Sequence, residues 1–428
     1  MENTVKITLW NDTVGYLTWD NSDWRKESSV FKYDSSFLEK GLDISPLQMS
    51  INSPAGKAGI PIRGGNPRNL FKGLPPVFAD SLPDHWGNSI FRAWAKEHNI
   101  SMSMISPVDL LAFVGKRAMG ALEYHPSIID NEDEACEVNV QELYLFAKSI
   151  LEERTKMTFS SDRELLWQDL VKLGTSPGGK RPKVLIAINR ENGDIKSGQA
   201  MLPREYDYYV LKYDNESDAF PYARMEYIYW RLCRDAGIDM SDSELKRFDT
   251  ASHFITKRFD RGPEGKIHMQ SLLAMAGEVS SYEEAFDTMR KLDLGYKDFE
   301  QLYRRMVFNV LSGNIDDHAR NFSFLMDRTG RWSLAPAYDM VYSIDPYVLE
   351  VQKGQSLSIC GKKSGIRKEE LIHIGRRYDI NRPGEVIERT QDVLSNLHGY
   401  MKEEGISDSV WKMISAELKS KDISSQPE

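Results

Sequence analysis

The chain has 428 residues, of which 41% are hydrophobic, 11% aromatic and 28% charged. This composition is typical of a globular protein with a substantial core, and the length corresponds to about one to three domains. The 55 Lys and Arg residues are outnumbered by 64 Asp and Glu residues, and the net charge of −9 argues against a chain that binds nucleic acid through its own charge.

The first 65 residues alternate apolar and polar positions with Asn-Asp turns between them, which predicts short antiparallel strands. The sequence starts with neither a basic nor an apolar leader segment, and no apolar run reaches the roughly 18 residues of a membrane span. We therefore expect a cytoplasmic protein. Two helices are expected next, one with Ile90, Phe91 and Trp94 on one face after a Trp-Gly break, and one that begins at Pro107 after Ser106.

An acidic run, DNEDEACE at 130–137, is the clearest change of composition along the chain. We place a boundary there, which gives a β-rich subdomain at 1–129, a mixed α/β part at 130–256 and a mainly helical part at 257–428. The alternative is a solvated loop within one domain.

The middle part is predicted to contain a helix, the glycine-rich loop LGTSPGGKRPK, and two strands, VLIAI and DYYVLKY. A helix should follow, because Met225, Ile228, Tyr229 and Leu232 recur at helical spacing. Strand signals thin out after about residue 265, so we expect mainly helices in the carboxyl-terminal half.

The segment LSGNIDDHARNFSFLMDRTGRWSLAPAYDM carries the strongest chemical signal. Asp316 and Asn321 are five residues apart, and Asp339 follows a predicted hairpin of FSFLM, a turn and RWSLA. The hairpin should bring Asp339 back beside Asn321. One carboxylate that accepts a hydroxyl proton, with an amide and a carboxylate that hold magnesium, is the set that phosphoryl transfer uses.

Further groups upstream fit the same chemistry. The glycines of the loop at 174–179 let backbone approach phosphates, Lys212 at a strand end can reach them, and Glu226 on the next helix can orient Lys212. The extended segment ITKRFDR could serve as a hinge against which adenine docks. In this order, these groups predict an ATP-dependent phosphotransferase.

Each group also has a structural interpretation. The loop could be a plain turn, and Lys212 and Glu226 could be solvated. The Asp316-Asp317-His318 cluster could be a cap or a metal feature, but no HxxxH or CxxC partner exists, and the three cysteines are scattered. Asp317 could exchange roles with Asp316 if the turn differed, but only Asp316 has the five-residue spacing to Asn321.

The segments TSPGGKRPK, KRFDR, GNIDDHARNFSFL, LAPAYDM and SLSICGKK together closely resemble the HipA family, the serine/threonine kinase toxins of bacterial toxin-antitoxin pairs. LPPVFADSLPD and VGKRAMGAL are similar to the amino-terminal subdomain of that family, so the resemblance covers nearly the whole chain. The HRD and DFG motifs of ordinary protein kinases are missing. The resemblance implies an α+β, kinase-like two-lobe fold, in which 130–256 is the ATP-binding lobe and 257–428 the catalytic lobe.

The resemblance also implies roles for single residues. Asp316 is implied as the catalytic base, and Asn321 and Asp339 as magnesium ligands. Ser176 is implied as an autophosphorylation site that regulates the phosphate loop, with Thr175 as the alternative site and a turn-capping serine as the structural alternative. The backbone of Lys257 and Phe259 is implied to hold adenine, with Asp260 near the ribose. Together with the groups derived above, the ATP-binding set is Lys212, Glu226, Lys257, Phe259, Asp260, Gly178 and Gly179.

We therefore expect an ATP- and Mg-dependent protein serine/threonine kinase. The family implies a small helix-turn-helix antitoxin of the HipB type, operator DNA contacted mainly through the antitoxin, and an aminoacyl-tRNA synthetase as protein substrate. One alternative is a catalytically weak corepressor that keeps its nucleotide pocket, and another is a small-molecule or lipid kinase. The complete set from Lys212 to Asp339 argues against the corepressor, and the large amino-terminal β region resembles a docking surface more than a lid over a small substrate.

Overall fold

A computed structural model of the chain describes residues 3–22, 27–129, 140, 183–199, 201–214, 220–248, 251–345 and 347–420. The glycine-rich loop with Gly178 and Gly179, the predicted phosphorylation sites Thr175 and Ser176, and the predicted boundary at 130–137 lie outside these residues.

The amino-terminal region is built on an antiparallel sheet of five strands in the order β4-β3-β2-β1-β5. Its strands are β1 (Thr4–Leu9), β2 (Asp12–Asp20), β3 (Ser28–Tyr33), β4 (Ile62–Arg63) and β5 (Leu122–His125). The helices are α1 (Ser35–Lys40), α2 (Pro54–Lys57), α3 (Pro76–Ala79), α4 (His85–Glu97) and α5 (Pro107–Val114). The predicted β-rich opening is confirmed.

Local capping explains where α4 and α5 begin. α5 begins at Pro107 as predicted, because Ser106 and Asp109 form a reciprocal capping box. α4 begins before the predicted Trp-Gly break, since the Asp84 side chain accepts a 2.7 Å hydrogen bond from the N–H of Gly87. The cap therefore outweighs the low helix propensity of that glycine.

A second antiparallel sheet follows, in the order β7-β6-β8-β10-β9. Its strands are β6 (Lys183–Asn189), β7 (Ile195–Ser197), β8 (Tyr206–Lys212), β9 (Ser243–Phe248) and β10 (Ala251–Lys257), and helix α6 (Tyr222–Asp235) lies between β8 and β9. The apolar face of α4 packs into the same core as this sheet, and the indole N–H of Trp86 donates to the carbonyl of Lys183 at 3.0 Å. The amino-terminal region thus supports the second sheet directly.

The carboxyl-terminal part is mainly helical, as predicted. After the short hairpin β11 (Arg261–Gly262) and β12 (Gly265–Lys266), three strands pair in sequence order: β13 (His268–Ser271), β14 (Ser323–Met326) and β15 (Trp332–Leu334). The predicted hairpin of FSFLM and RWSLA is β14 and β15. The helices are α7 (Leu272–Ala276), α8 (Tyr282–Lys291), α9 (Tyr296–Ser312), α10 (Lys368–Arg377), α11 (Pro383–Leu394), α12 (Leu397–Glu403) and α13 (Asp408–Ser420).

The hydrophobic core is divided among these parts. One cluster fills the amino-terminal sheet, a second lies between α4 and the second sheet, and two more hold the helical part together. Within the described ranges, each helix is too short or too polar to cross a membrane.

Candidate active site

A cavity of about 190 Å³ opens where the amino-terminal region, the second sheet and the segment after β15 meet. Residues from all three parts line it, so the cavity depends on the packing of these three parts. Its charged lining residues are Lys72, Asp80, Asp84, Arg117, Lys183, Lys212, Glu226, Lys257, Arg258, Arg320 and Asp339.

Three of the predicted site residues meet in this cavity. Lys212 is the last residue of β8, Glu226 lies in the second turn of α6, and Asp339 follows the β14–β15 hairpin. The ammonium of Lys212 donates to Oε1 of Glu226 at 2.5 Å and to Oδ1 of Asp339. Glu226 therefore lies within hydrogen-bond distance of Lys212, and Asp339 is a second carboxylate partner.

The charges of this trio depend on one another. Burial by itself would lower the pKa of Lys212, but the carboxylates of Asp339 and Glu226 raise it. Burial opposes ionisation of Asp339, but its pKa is lowered by the ammonium groups of Lys212 and Lys183. Burial raises the pKa of Glu226. Lys212 therefore remains a charged ammonium at the cavity wall, where it can attract phosphate.

The backbone conformation of Asp339 is unusual. Its φ of 52° lies in the left-handed region, which Asp tolerates better than most side chains. The preceding Tyr338 fixes this turn, because its hydroxyl donates to the carbonyl of Arg320 at 2.7 Å and bonds the hydroxyl of Ser323 at 2.6 Å. The hairpin thus returns Asp339 to the segment that carries Asn321, as the sequence predicted.

Asp316 and Asn321 lie in the loop between α9 and β14. The amide nitrogen of Asn321 donates to the carbonyl of Asp316 at 2.7 Å, and the His318 ring lies 3.6 Å from the Asp316 carboxylate. The Asp316 side chain is 65% exposed, whereas Asp317 is almost fully buried. Asp316 is therefore the carboxylate of the pair that a substrate could reach.

The hinge residues require a correction. Lys257 and Phe259 line the cavity, but the N–H of Lys257 donates to the carbonyl of Asp242 at 2.8 Å, which removes that donor from an adenine contact. Asp260 is fully buried, and both its oxygens accept hydrogen bonds from Arg258. The predicted position of Asp260 beside a ribose does not fit this geometry.

The structure explains why Asp260 is buried. Besides Arg258, its carboxylate accepts bonds from the guanidinium of Arg261 and the N–H of Gly120. Burial would raise the pKa of Asp260, but the two arginines lower it. Asp260 therefore joins the hinge to the amino-terminal region, a role that sequence reasoning missed because Gly120 is remote in sequence.

Lys183 is a further cavity residue that the sequence analysis did not select. It is the first residue of β6, pairs in register with Lys212, and is 4% exposed. Its ammonium lies 4.0 Å from the Asp84 carboxylate, and burial lowers its pKa. In the sequence, Lys183 stands between the glycines of the loop and the apolar strand VLIAI, and this position was the signal that could have identified it. Lys183 brings a second cation into the cavity.

Asn321 and Asp339 carry oxygen atoms of the kind that magnesium binds, and of these two residues Asp339 is the one that lines the cavity. In the parts of the chain that the structure describes, no three His, Cys, Asp or Glu side chains group so as to hold a metal ion. The amide N–H of Asn321 donates to the backbone carbonyl of Asp316, which leaves the Asn321 amide oxygen for other contacts, and Asp339 supplies a carboxylate at the cavity. Magnesium commonly takes one or two such protein oxygens together with phosphate oxygens and water.

Comparison with known proteins identifies the family. Residues 5–125 match the model of the HipA N-terminal domain, and residues 175–398, more than half of the chain, match that of the HipA-like C-terminal domain. The chain belongs to the HipA family.

A solved structure extends this likeness to the fold. The chain is similar to a protein in the Shewanella oneidensis MR-1 toxin-antitoxin complex of HipA, HipB and operator DNA, with a TM-score of 0.67, 15% sequence identity, and coverage of 98% of this chain and 96% of that one. The fold is therefore the kinase-like α+β fold of HipA, as expected.

Two curated relatives carry kinase names. A Sinorhizobium fredii protein named "Putative kinase Y4dM" is 27% identical over 397 residues, which cover 88% of this chain and 86% of the relative. A Haemophilus influenzae protein named "Putative kinase" is 27% identical over 212 residues, which cover 45% of this chain and 59% of the relative. Together with the family, these names support a HipA-type kinase.

Proposed function

We propose that this chain is an ATP- and magnesium-dependent protein serine/threonine kinase. The observation that carries the proposal is the position of Lys212 between Glu226 and Asp339 at the wall of the cavity. A lysine held by a helix glutamate, beside a carboxylate that can bind magnesium, is the arrangement that kinases require for phosphoryl transfer.

In this proposal, Asp316 is the catalytic base. Its carboxylate is 65% exposed, so a substrate hydroxyl can approach it, and the Asn321 bond to its carbonyl steadies the backbone beneath it. Asp316 accepts the hydroxyl proton as the hydroxyl oxygen bonds to the terminal phosphorus of ATP, and the bond from that phosphorus to the bridging oxygen breaks, so that ADP leaves. The buried Asp317 is not accessible for this role.

Asn321 and Asp339 would hold magnesium through their side-chain oxygens. The ion would neutralise negative charge on the phosphate oxygens. Lys212 and Lys183 bring two cations to the same cavity, and both would bind phosphate oxygens of the nucleotide. The adenine would lie at the end of β10, beside residues 257–259. It would not accept a hydrogen bond from the N–H of Lys257, because that N–H donates to the carbonyl of Asp242.

Regulation by Ser176 is part of the proposal. A phosphate on this serine would add nearly two negative charges to a loop that binds nucleotide phosphates. The repulsion would favour a loop that has moved away from the nucleotide, and transfer would stop. Thr175 is the alternative site. In both cases, the phosphorylated chain is the inactive one.

The proposed partners follow from the family and from the complex that contains its structural relative. A HipB-like helix-turn-helix antitoxin would bind the chain and carry most contacts to operator DNA. This division suits a protein with a net charge of −9. We propose an aminoacyl-tRNA synthetase as the protein substrate, a cytoplasmic location, and the three-part division at 129 and 256 as the domain organisation.

The proposal is tested by incubating the purified chain with ATP and Mg²⁺ and mapping phosphate by mass spectrometry, beside Asp316→Ala. The starting mass must be measured first, because the protein could carry phosphate from its expression host. Phosphate on Ser176 or Thr175 that requires Asp316 would support kinase and switch together. ATP binding without any phosphate, before or after incubation, would favour the corepressor alternative.

A further inference from the structure

Asp317 lies in a polar network inside the protein, next in sequence to the proposed base. It is 1% exposed, yet its carboxylate receives three hydrogen bonds. The Tyr282 hydroxyl and the Gln355 amide donate to Oδ2 at 2.7 and 3.0 Å, and the N–H of Ser356 donates to Oδ1 at 2.6 Å. The donors come from α8 and from the segment before α10, so Asp317 joins the loop to two separate parts of the fold.

The network continues behind the loop. The Tyr282 hydroxyl accepts from the amide of Asn309 at 3.0 Å, and Asn309 accepts from the amide of Asn314 at 2.9 Å. Both asparagines are buried. The chain of bonds therefore runs from α8 through α9 to the start of the loop that carries Asp316, and all its members are buried.

Ser343 forms a second set of hydrogen bonds with the same loop. The Ser343 hydroxyl accepts the N–H of Ile315 at 2.8 Å and the N–H of Asp316 at 3.1 Å, and it donates to Asn314 Oδ1 at 3.3 Å. The Gln355 amide also donates to the Asn314 carbonyl at 3.0 Å. Both ends of the segment 343–356 therefore form hydrogen bonds with the loop, while the Asp316 side chain remains exposed.

We propose that Asp317 is a positioning residue for phosphoryl transfer: its buried carboxylate anchors the loop so that the adjacent Asp316 faces the substrate hydroxyl. The proposal rests on the proposed function, since it concerns the base of that reaction. Consecutive residues of an extended loop tend to point to opposite sides, so burying Asp317 directs Asp316 outward. A displacement of the base by about 1 Å can cost on the order of 10²-fold in rate.

The surroundings of Asp317 predict what its loss of charge would do. Tyr282 is the titratable side chain in direct contact, the Gln355 and Ser356 donors are uncharged, and Asp316 and His318 flank it in sequence. Burial raises the pKa of Asp317 to about 6, against the hydrogen bonds, which lower it. A proton on Asp317 would occupy a carboxylate oxygen that now accepts a hydrogen bond. The hydrogen bonds by which Asp317 anchors the loop should therefore weaken in mild acid.

The test uses Asp317→Asn in the full-length chain. An NH₂ group in place of Oδ1 would leave the N–H of Ser356 without its acceptor, and one in place of Oδ2 would do the same to both Tyr282 and Gln355. Tyr282→Phe is a second, milder variant that removes one donor. Asp327→Asn is the matched control, because Asp327 also accepts several bonds in a turn but lies in the exposed β14–β15 hairpin.

The readouts are the first-order rate of phosphate incorporation from MgATP, the ATP concentration at half-maximal rate, and the pH profile of the rate. Rates are divided by the fraction of protein that binds ATP in a calorimetric titration, which removes unfolded molecules. We expect Asp317→Asn to lower the rate about 10- to 100-fold without changing the half-maximal ATP concentration. The wild-type rate should fall below about pH 6, and this fall should be missing in the variant.

The outcomes separate the two proposals. Unchanged normalised rates in Asp317→Asn and Tyr282→Phe, beside an active wild type, would overturn the positioning role alone. An equal loss of normalised rate in the control Asp327→Asn would also overturn the positioning role. If Asp317→Asn does not fold, a lowered rate and an altered acid limb in Tyr282→Phe would support the role, and their absence would overturn it. A wild type that binds ATP but carries no phosphate before or after incubation would overturn both proposals.

Discussion

Asp316 and Asp317 are adjacent in the chain, but their carboxylates lie in opposite environments. The Asp316 side chain is 65% exposed, while Asp317 is 1% exposed and its carboxylate accepts three hydrogen bonds. The spacing to Asn321 had favoured Asp316 without excluding Asp317. The difference in burial now separates the two roles in our proposal, with one carboxylate for chemistry and the other for position.

The role of Lys212 predicts an effect on ATP binding. Lys212→Ala should weaken ATP affinity by about 10- to 100-fold, because a hydrogen bond to a charged group contributes about 1.5–3 kcal/mol. The measurement is a calorimetric titration of the folded variant with MgATP. Lys246→Ala, on strand β9 of the same sheet but outside the cavity lining, is the control and should bind ATP like the wild type. Equal affinities in Lys212→Ala and wild type would contradict the assignment.

The buried ion cluster at the hinge predicts a large effect on stability. Asp260→Asn would leave Arg258 and Arg261 buried without their carboxylate, so we expect about 3–5 kcal/mol less free energy of unfolding. Urea unfolding measures this loss. Glu264→Gln is the control, because Glu264 is 83% exposed and its contact with Arg328 should contribute less than about 1 kcal/mol. A similar small loss in both variants would mean that Asp260 is not a structural anchor.

The pKa of Asp317 predicts a pH dependence of stability. Its folded pKa of about 6 lies above the ordinary value of a carboxyl group, so the folded state binds the proton more tightly than the unfolded state. The contribution of this group to stability is therefore present in acid and is lost as the pH rises from about 4 to 6. Relative to Asp317→Asn, the wild type should lose up to about 3 kcal/mol across this interval. Urea unfolding at several pH values tests this, and a constant difference between the two proteins would contradict it.

The proposed switch predicts opposite effects of two substitutions at one position. Ser176→Asp should mimic the phosphorylated loop and slow phosphate transfer to an added protein substrate, while Ser176→Ala should stay active. Thr175→Asp is the matched control that decides between the neighbouring positions. A fully active Ser176→Asp, together with a slow Thr175→Asp, would move the switch to Thr175. Full activity in both would remove it from this loop.

Local sequence patterns predicted the elements well where a short segment determines its own structure. The Ser106–Asp109 capping box begins α5, and the turn after FSFLM pairs β14 with β15. The pairing of Lys212 with Glu226 was also predicted, because the order of the motifs indicated a phosphotransferase, whereas the contact of Lys212 with Asp339 was not predicted. Capping at Asp84 shifted the start of α4, since a side-chain cap outweighs an unfavourable glycine.

The remaining features depend on contacts between distant segments. Asp260 receives the N–H of Gly120 from 140 residues away, so its burial left no local signal and a ribose contact was expected instead. Lys183 enters the cavity because its strand pairs with β8 in a register that places it beside Lys212. The donors to Asp317 come from 35 to 39 residues away. Packing of the whole chain decides all three positions.

The kinase proposal is tested most directly by the rate of phosphate incorporation from labelled ATP and Mg²⁺ in wild type, Asp316→Ala and the control Asp392→Ala, whose substituted residue is exposed. We expect incorporation in wild type and Asp392→Ala, and a rate lower by about 10³-fold or more in Asp316→Ala with ATP binding intact. Equal rates in Asp316→Ala and wild type would contradict the central claim that this loop carries the base of a kinase.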